Sequence, residues 1–385
     1  MSEIHVHGTV AEGFEEVREE FTAVLAEERA EPGAQLAAYV SGRRVVDLWA
    51  GEEVTGDSLT GVFSSGKGAA YLVVALLVQD GVLALDQTVA HYWPEFAAEG
   101  KADVTLRELL AHRAGVVGVD GGFTPDELAD DRLIAKRLAG QRPYWKPGSA
   151  YGYHCFGIGA LIGEVARRAT GRSIQELYEE RIRAPYGLDL YLGLPEALEA
   201  RYLEMRPWVS TPQQQAMLEA NWPDPHSLAG IAYNLNATPP TDQVAFINTR
   251  AVRALGQASA GGVGNARGLA ALYAATISEV GGRPPLLEPE VLAEFSTLHS
   301  TGIDLVTGAQ DRFALGFEAK GVRYPFLGAN AFGHSGSAGS EAFADPRSGV
   351  AYGYTRRRFA FFFSAPENDR LAAAVLRAAA ARATG

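Results

Sequence analysis

Ser64 and Lys67, within G61-V-F-S-S-G-K-G68, stand three residues apart at the start of an apolar run, and two chemistries fit them. On a helix both side chains share one face, close enough for the amine to take the hydroxyl's proton. Read instead as Gly61-x-x-x-x-Gly66-Lys67, the same residues make most of a phosphate-binding loop. Gly68, however, stands where that loop needs a Ser or Thr to hold a nucleotide's magnesium ion. The preceding E52-E-V-T-G-D-S-L-T60 is polar and turn-prone rather than an apolar strand, and no downstream apolar run ending in Asp supplies a second magnesium ligand. The Ser/Lys reading is favoured, with a helix-capping serine beside a solvated lysine as its plain alternative. Lys67 opens the predicted helix K67-G-A-A-Y-L-V-V-A-L-L-V-Q-D80, whose positive amino end and burial both disfavour an ammonium. Lysine occurs only at 67, 101, 136, 146 and 320 while arginine supplies nearly all other basic residues, so a lysine kept here suits a group that must lose its proton.

A hydroxyl and an amine need a third polar group to carry a proton to a leaving group. In W145-K-P-G-S-A-Y-G-Y-H-C155 a Pro-Gly turn leads to a predicted helix beginning near Phe156. Tyr153, just before it, is expected to set its phenol at the positive helix end with a lowered pKa; simple packing of the ring is the alternative. F332-G-H-S-G-S-A-G339 passes from an apolar strand into small residues that let an acyl group approach the backbone. The N–H groups of Ser337 and Ser64 are a candidate oxyanion hole there, and a tight turn in an edge strand is the alternative. G333-H-S-G-S337 imitates a Gly-x-Ser-x-Gly nucleophile elbow but ends in Ser and lacks a following helix. His5 and His7 suit a solvated strand better than a metal site, so neither metal nor cofactor is expected. His112 reads as a buttress of a helix end, His154 as pointing away from Tyr153, and Cys155 as a buried thiol. Trp93, Trp208 and Trp222 read as core residues or as walls of an acyl pocket.

These groups need a scaffold, and 385 residues with 47% hydrophobic and 21% charged content can bury a large core as two interleaved subdomains. A formal net charge of −12 argues against nucleic acid or an anionic membrane as partner. M1-S-E-I-H-V-H-G8 lacks a leader pattern, no stretch reaches the roughly 18 apolar residues of a membrane span, and one cysteine forms no internal disulfide, so a cytoplasmic location is expected. Residues 12–27 are predicted as an amphipathic helix, followed by strands over 34–40 and 45–49 joined at Ser41-Gly42. Residues 332–354 read as further strands turning at Gly336, Gly339 and Asp345-Pro346, and 371–381 as a closing helix. The expected fold class is α/β (α+β): an antiparallel sheet from both termini flanked by helices, over 1–90 and 275–385, plus a mostly helical lobe over 91–274. That lobe holds predicted helices over 104–112 and 158–168, and one from Ser173 with Glu176 as capping-box partner. Residues from Pro207 to Thr249, rich in Pro, Asn and Gln, read as long irregular loops lining a binding site.

In this order and at these separations, the three elements resemble the serine hydrolases of the penicillin-recognising fold, most closely the family VIII carboxylesterases related to class C beta-lactamases. V104-T-L-R-E-L-L-A-H112-x-x-G115, P147-G-S149, A184-P-Y-G-L188 and S259-A-G-G-V-G264 resemble further stretches of that family, so the likeness spans most of the chain. The resemblance implies a beta-lactamase/transpeptidase-like fold in which Ser64 is acylated, Lys67 activates it and Tyr153 shuttles protons. His334-Ser335-Gly336 takes the place of the Lys-Thr-Gly motif on the strand lining the cleft. Two departures bear on substrate: Cys155 stands at the family's Asn position and His334 at its Lys position, where a beta-lactam's amide and carboxylate would be held. The expected activity is hydrolysis of small carboxylic esters, with acyl transfer to an alcohol or amine as main rival. Weak beta-lactamase or D-amino-acid peptidase activity and a silent binding module are further alternatives, and a nucleotide-binding loop is least favoured. The expected partner is a small-molecule ester, with acyl chain and oligomeric state left open.

Overall fold

The computed structural model describes residues 4–310 and 312–383, and in it the two ends of the chain build one sheet. Its strands are β1 (His7–Val10), β2 (Gly33–Val40), β3 (Arg43–Gly51), β7 (Glu318–Ala319), β8 (Phe332–Ser335), β9 (Glu341–Asp345) and β10 (Val350–Arg356). They lie in the order β1-β3-β2-β10-β9-β8-β7 with every neighbouring pair antiparallel. The β2–β3 hairpin turns at Ser41 and Gly42, whose φ values of 47° and 76° are the left-handed pair that a two-residue hairpin with right-twisted strands requires. Edge strands β1 and β7 were not distinguished from sequence. They are four and two residues long, too short for alternation to show.

Among the described residues, five helices reach twelve residues or more: α1 (Glu15–Ala26), α2 (Lys67–Gln79), α3 (Ile158–Thr170), α4 (Ala266–Ile277) and α5 (Glu367–Ala383). α1 buries Val17, Phe21, Val24 and Leu25, the i, i+4, i+7, i+8 stripe of an amphipathic helix, against one sheet face beside α5. The strands serve both faces in turn: on β2, Leu36 and Ala38 join the α1/α5 core, while Ala37 meets Ala266 and Ala270 of α4 on the other face. α4 comes so close to β10 that a Cβ on Gly353 would stand 2.4 Å from the Ala266 carbonyl oxygen. α4 runs through residue 275, where the sequence suggested the second part of the sheet domain begins.

A second sheet, unread from sequence because each strand has two residues, joins β4 (Thr60–Gly61), β6 (Val263–Gly264) and β5 (Leu190–Tyr191). A strand thus does precede Gly66-Lys67, although a short antiparallel one rather than the apolar lead-in of a phosphate loop. α2 is buried from Lys67 to Leu77 on every side, as suits a helix with no polar face. In the helical lobe, Ser173 and Glu176 form the expected capping box, and Thr105 with Glu108 forms another. The stretch from Pro207 to Thr249 is not irregular: helices Pro212–Asn221, Leu228–Ala232 and Gln243–Asn248 occupy it, started by Thr211, Ser227 and Asp242 side chains that accept from their first turns. Among the described residues no helix is long and apolar enough to cross a membrane.

Gly353→Val would force α4 off the sheet, and is expected to lower the unfolding free energy by about 1–3 kcal/mol. Urea melts of the two proteins check this; an unchanged midpoint would show the contact to be slack.

Candidate active site

Ser64 lies in a 3-10 turn, Phe63–Gly66, that runs directly into α2, so the hydroxyl stands at the mouth of the central helix and Lys67 one turn deeper. Phe63 has φ of 48°, a left-handed conformation that a bulky residue adopts only where surroundings impose it. The surroundings are visible. Val62 N–H donates to the Gly262 carbonyl next to β6, and the Ser340 hydroxyl donates to the Val62 carbonyl at 2.8 Å while lying 3.0 Å from the Ser65 hydroxyl. Gly336 N–H in turn donates to the Ser340 carbonyl, which fixes the turn after β8 against the same segment.

The Lys67 amine lies 2.8 Å from Ser64 Oγ and donates to the Ser259 carbonyl at 2.7 Å. It is 0% exposed, which rules out a solvated lysine. Burial pushes its pKa down to about 8, against the opposing influence of Cys155 and Glu318. Ser259, at the head of S259-A-G-G-V-G264, was not assigned a role from sequence. β4–β6 pairing draws it to the lysine, a long-range contact no local pattern announces.

The Tyr153 hydroxyl donates to Ser64 Oγ at 2.7 Å, and the Lys67 amine sits 5.0 Å from the centre of its ring. The expectation of a lowered Tyr153 pKa is overturned. α3 begins only at Ile158, and burial, the largest influence, pushes the phenol well above its ordinary value, with the Ser64 hydrogen bond only partly opposing. At neutral pH the phenol therefore keeps its proton. Its segment is clamped from both sides: Tyr153 N–H donates to Asp304 Oδ1, Gly152 N–H to the His112 carbonyl, and His154 N–H to His112 Nδ1. His112, expected to support a helix end, therefore holds the tyrosine segment, while the His154 ring turns toward Trp145 and accepts from Val116 N–H.

These groups open on a cleft of about 830 Å³ whose lining includes Ser64, Tyr153, Cys155, His334, Gly336 and Ser337. Among the described residues, neither Ser64 N–H nor Ser337 N–H donates to a backbone carbonyl, so both are available as donors. The Cys155 thiol is pushed up to about 11 by burial and stays protonated. His334 is pushed down to about 4, chiefly by burial, and is neutral. Its Nδ1 faces two acceptors, the Ser335 carbonyl at 2.8 Å and Glu318 Oε1 at 3.2 Å, so Nδ1 carries the proton and Nε2 the lone pair. Glu318 also accepts from the Ser335 N–H and hydroxyl, and with Glu341 pairs the fully buried Lys320. Ser335 is thus engaged with a carboxylate rather than poised as an elbow nucleophile. Among the described residues no tryptophan lines the cleft: Trp93 is buried elsewhere, Trp208 packs at a tilt against Phe361 and Trp222 is 53% exposed. The aromatic walls are Tyr233, Phe313, Phe362 and Phe363, from segments that carry no periodic signature.

The chain matches the beta-lactamase family over residues 17–377. It is 42% identical to EstA from Arthrobacter nitroguajacolicus Rue61a, whose crystal chain it covers entirely with 98% of its own length, at a TM-score of 0.90. It is 34% identical to a family VIII carboxylesterase of known structure, with 97% of this chain and 100% of that one covered and a TM-score of 0.86. The esterase/beta-lactamase LipL of Mycobacterium tuberculosis (strain ATCC 25618 / H37Rv) is 30% identical over 370 residues, 85% of this chain and 77% of that protein.

Asp304 Oδ1 accepts three backbone N–H groups, those of Tyr153, Val306 and Thr307, in a fully buried place. Asp304→Ala is expected to lower the unfolding free energy by about 3 kcal/mol, while Asp304→Asn, which keeps the accepting oxygen, recovers most of it. Denaturant melts of both variants distinguish this from a bystander role, under which the two would behave alike.

Proposed function

The chain belongs to the beta-lactamase family of serine hydrolases, and we propose that within it the protein is a carboxylesterase working through an acyl-enzyme on Ser64. The observation that carries the reading is one hydroxyl touched at 2.8 Å by a buried amine of lowered pKa and at 2.7 Å by a phenol of raised pKa. The two partners differ in the direction their pKa values move, which supports Lys67 as the base and Tyr153 as the acid. Lys67, neutral, takes the Ser64 proton as Oγ attacks the ester carbonyl carbon, and the N–H groups of Ser64 and Ser337 hold the developing oxyanion. Collapse breaks the bond to the alcohol oxygen, which leaves with the Tyr153 proton, and the proton on Lys67 restores the phenol. Water then attacks the acyl carbon, gives a proton to the same pair, and releases the acid and free Ser64.

Esters are favoured over beta-lactams at this site because His334 is neutral and presents a lone pair, and Cys155 a thiol, where an anionic substrate needs a cation and an amide. The name of LipL keeps beta-lactam hydrolysis as a second reading. The Glu318 carboxylate beside His334 counts against it, since it adds negative charge where the drug's carboxylate would lie. A cytoplasmic location belongs to the proposal as well, supported by a lone buried free thiol.

Ser64→Ala is expected to cut turnover of an activated aryl ester about 10⁶-fold and to abolish labelling by a fluorophosphonate; near-full activity would overturn the assignment of the nucleophile. Because Lys67 acts when unprotonated, the acylation rate should rise with pH and level off above about 8, standing roughly a hundredfold lower at pH 6. Lys67→Arg, which cannot shed its proton near neutrality, should remove both activity and the rise. A flat pre-steady-state profile between pH 6 and 9 would exclude Lys67 as the base.

A further inference from the structure

The two sides of the cleft differ in chemistry. On one, the Phe313 ring stacks on Tyr153 at 5.9 Å and an interplanar angle of 5°, Asp304 ties the 304–307 turn to the tyrosine segment, and Arg312, Glu318 and Arg323 supply charge. On the other, the Ser337 hydroxyl donates to Gln243 Oε1 at 2.8 Å, and Phe362, Phe363 and Tyr233 make an aromatic wall. Phe362 and Phe363 have φ of 48° and 59°, consecutive bulky residues in the left-handed region. That conformation is costly for any residue with a Cβ and persists where it serves a ligand or is imposed by neighbours. Here the neighbours form a chain of rings: Phe363 stacks on Tyr233 at 5.5 Å and meets Phe359 at 5.9 Å, and Phe359 meets Phe63 edge-on at 5.4 Å. Phe63 is the strained residue directly before Ser64, so the wall is in register with the nucleophile. Phe363 lines the cleft and keeps 36% of its surface exposed.

Resting on the ester-hydrolase reading above, we infer that this wall binds the acyl side of the substrate, and that the preferred substrates are esters of an aryl-bearing acid with a small or polar alcohol. The geometry around the tetrahedral carbon assigns the sides. The leaving oxygen must reach the Tyr153 hydroxyl, which puts the alcohol on the Phe313 and Arg312 side. The oxyanion must reach Ser337 N–H, and the remaining substituent, the acyl group, is left to the side of Ser337 where the phenylalanines stand. A flat ring buried there gains stacking as well as apolar contact, worth about one to two powers of ten in kcat/KM.

Methyl phenylacetate and benzyl acetate test this, being isomers of equal size whose ring lies on opposite sides of the ester. The wild-type enzyme should favour methyl phenylacetate by about tenfold or more in kcat/KM. Phe363→Ala should bring that ratio toward one, and Phe363→Leu, apolar but not flat, should give an intermediate value; a ratio is insensitive to the fraction of enzyme that folds. A wild-type ratio at or below one, or a ratio unmoved by both variants, overturns the inference. Turnover of neither ester with Ser64 still labelled by fluorophosphonate overturns the substrate class alone, whereas failure of labelling as well removes the hydrolase reading and this one with it.

Discussion

The arrangement rests on an amine buried without a counter-ion. Among the described residues no carboxylate lies within ion-pair reach of Lys67; its near contacts are a hydroxyl oxygen and a carbonyl oxygen. Lys320, equally buried, is held by Glu318 and Glu341. The contrast separates two uses of one residue type. A buried ammonium between two carboxylates is a structural ion, whereas a buried amine facing only neutral oxygens carries the full cost of desolvation and gives up its proton readily. Placement at the first residue of α2 adds to that, since the helix's positive end opposes a charge there.

Holding such a group in place takes four segments remote in sequence. Residues 62–67 bring the hydroxyl and amine, 152–155 the phenol, 259–264 the carbonyl that accepts from the amine, and 335–340 the second N–H. Two of these are tied to the first by bonds that do not pass through the reacting atoms, β4 to β6 and the Val62 carbonyl to the Ser340 hydroxyl, while the tyrosine segment is held from behind by His112 and Asp304. The large sheet contributes rigidity. β8 lies within it rather than at its edge, so the turn after it is carried by a strand paired on both sides.

What could be read from the chain followed what is local. Ser64 and Lys67 share one helical turn, Ser41-Gly42 announces a hairpin, and the α1 stripe repeats at helical spacing, so each is legible from a dozen residues or fewer. The sheet drawn from both termini was legible because strands and helices at the two ends matched in kind. Ser259, Asp304 and Glu318 were not legible, because each acts through a contact with a partner about 15 to more than 150 positions away and belongs to no repeating pattern. The scarcity of lysine also misled in part: Lys101 and Lys320 are as buried as Lys67 and serve as structural donors, so retention of a lysine marks burial before it marks chemistry. The Tyr153 pKa follows burial rather than the helix dipole, because the dipole fades within a turn and desolvation does not.

The departures from the beta-lactamase pattern, Cys155 and His334, fall at cleft-lining positions that make no hydrogen bond to Ser64 among the described residues, whereas Lys67 and Tyr153 both do. An ester's alcohol leaves more easily than an amide nitrogen and asks for no carboxylate anchor, so a site devoted to esters can exchange a lysine for a neutral histidine. The exchange has its own logic in the surrounding charge. Lys320 already faces both Glu318 and Glu341, and the neutral histidine lends one N–H to Glu318 without adding another buried charge to be desolvated.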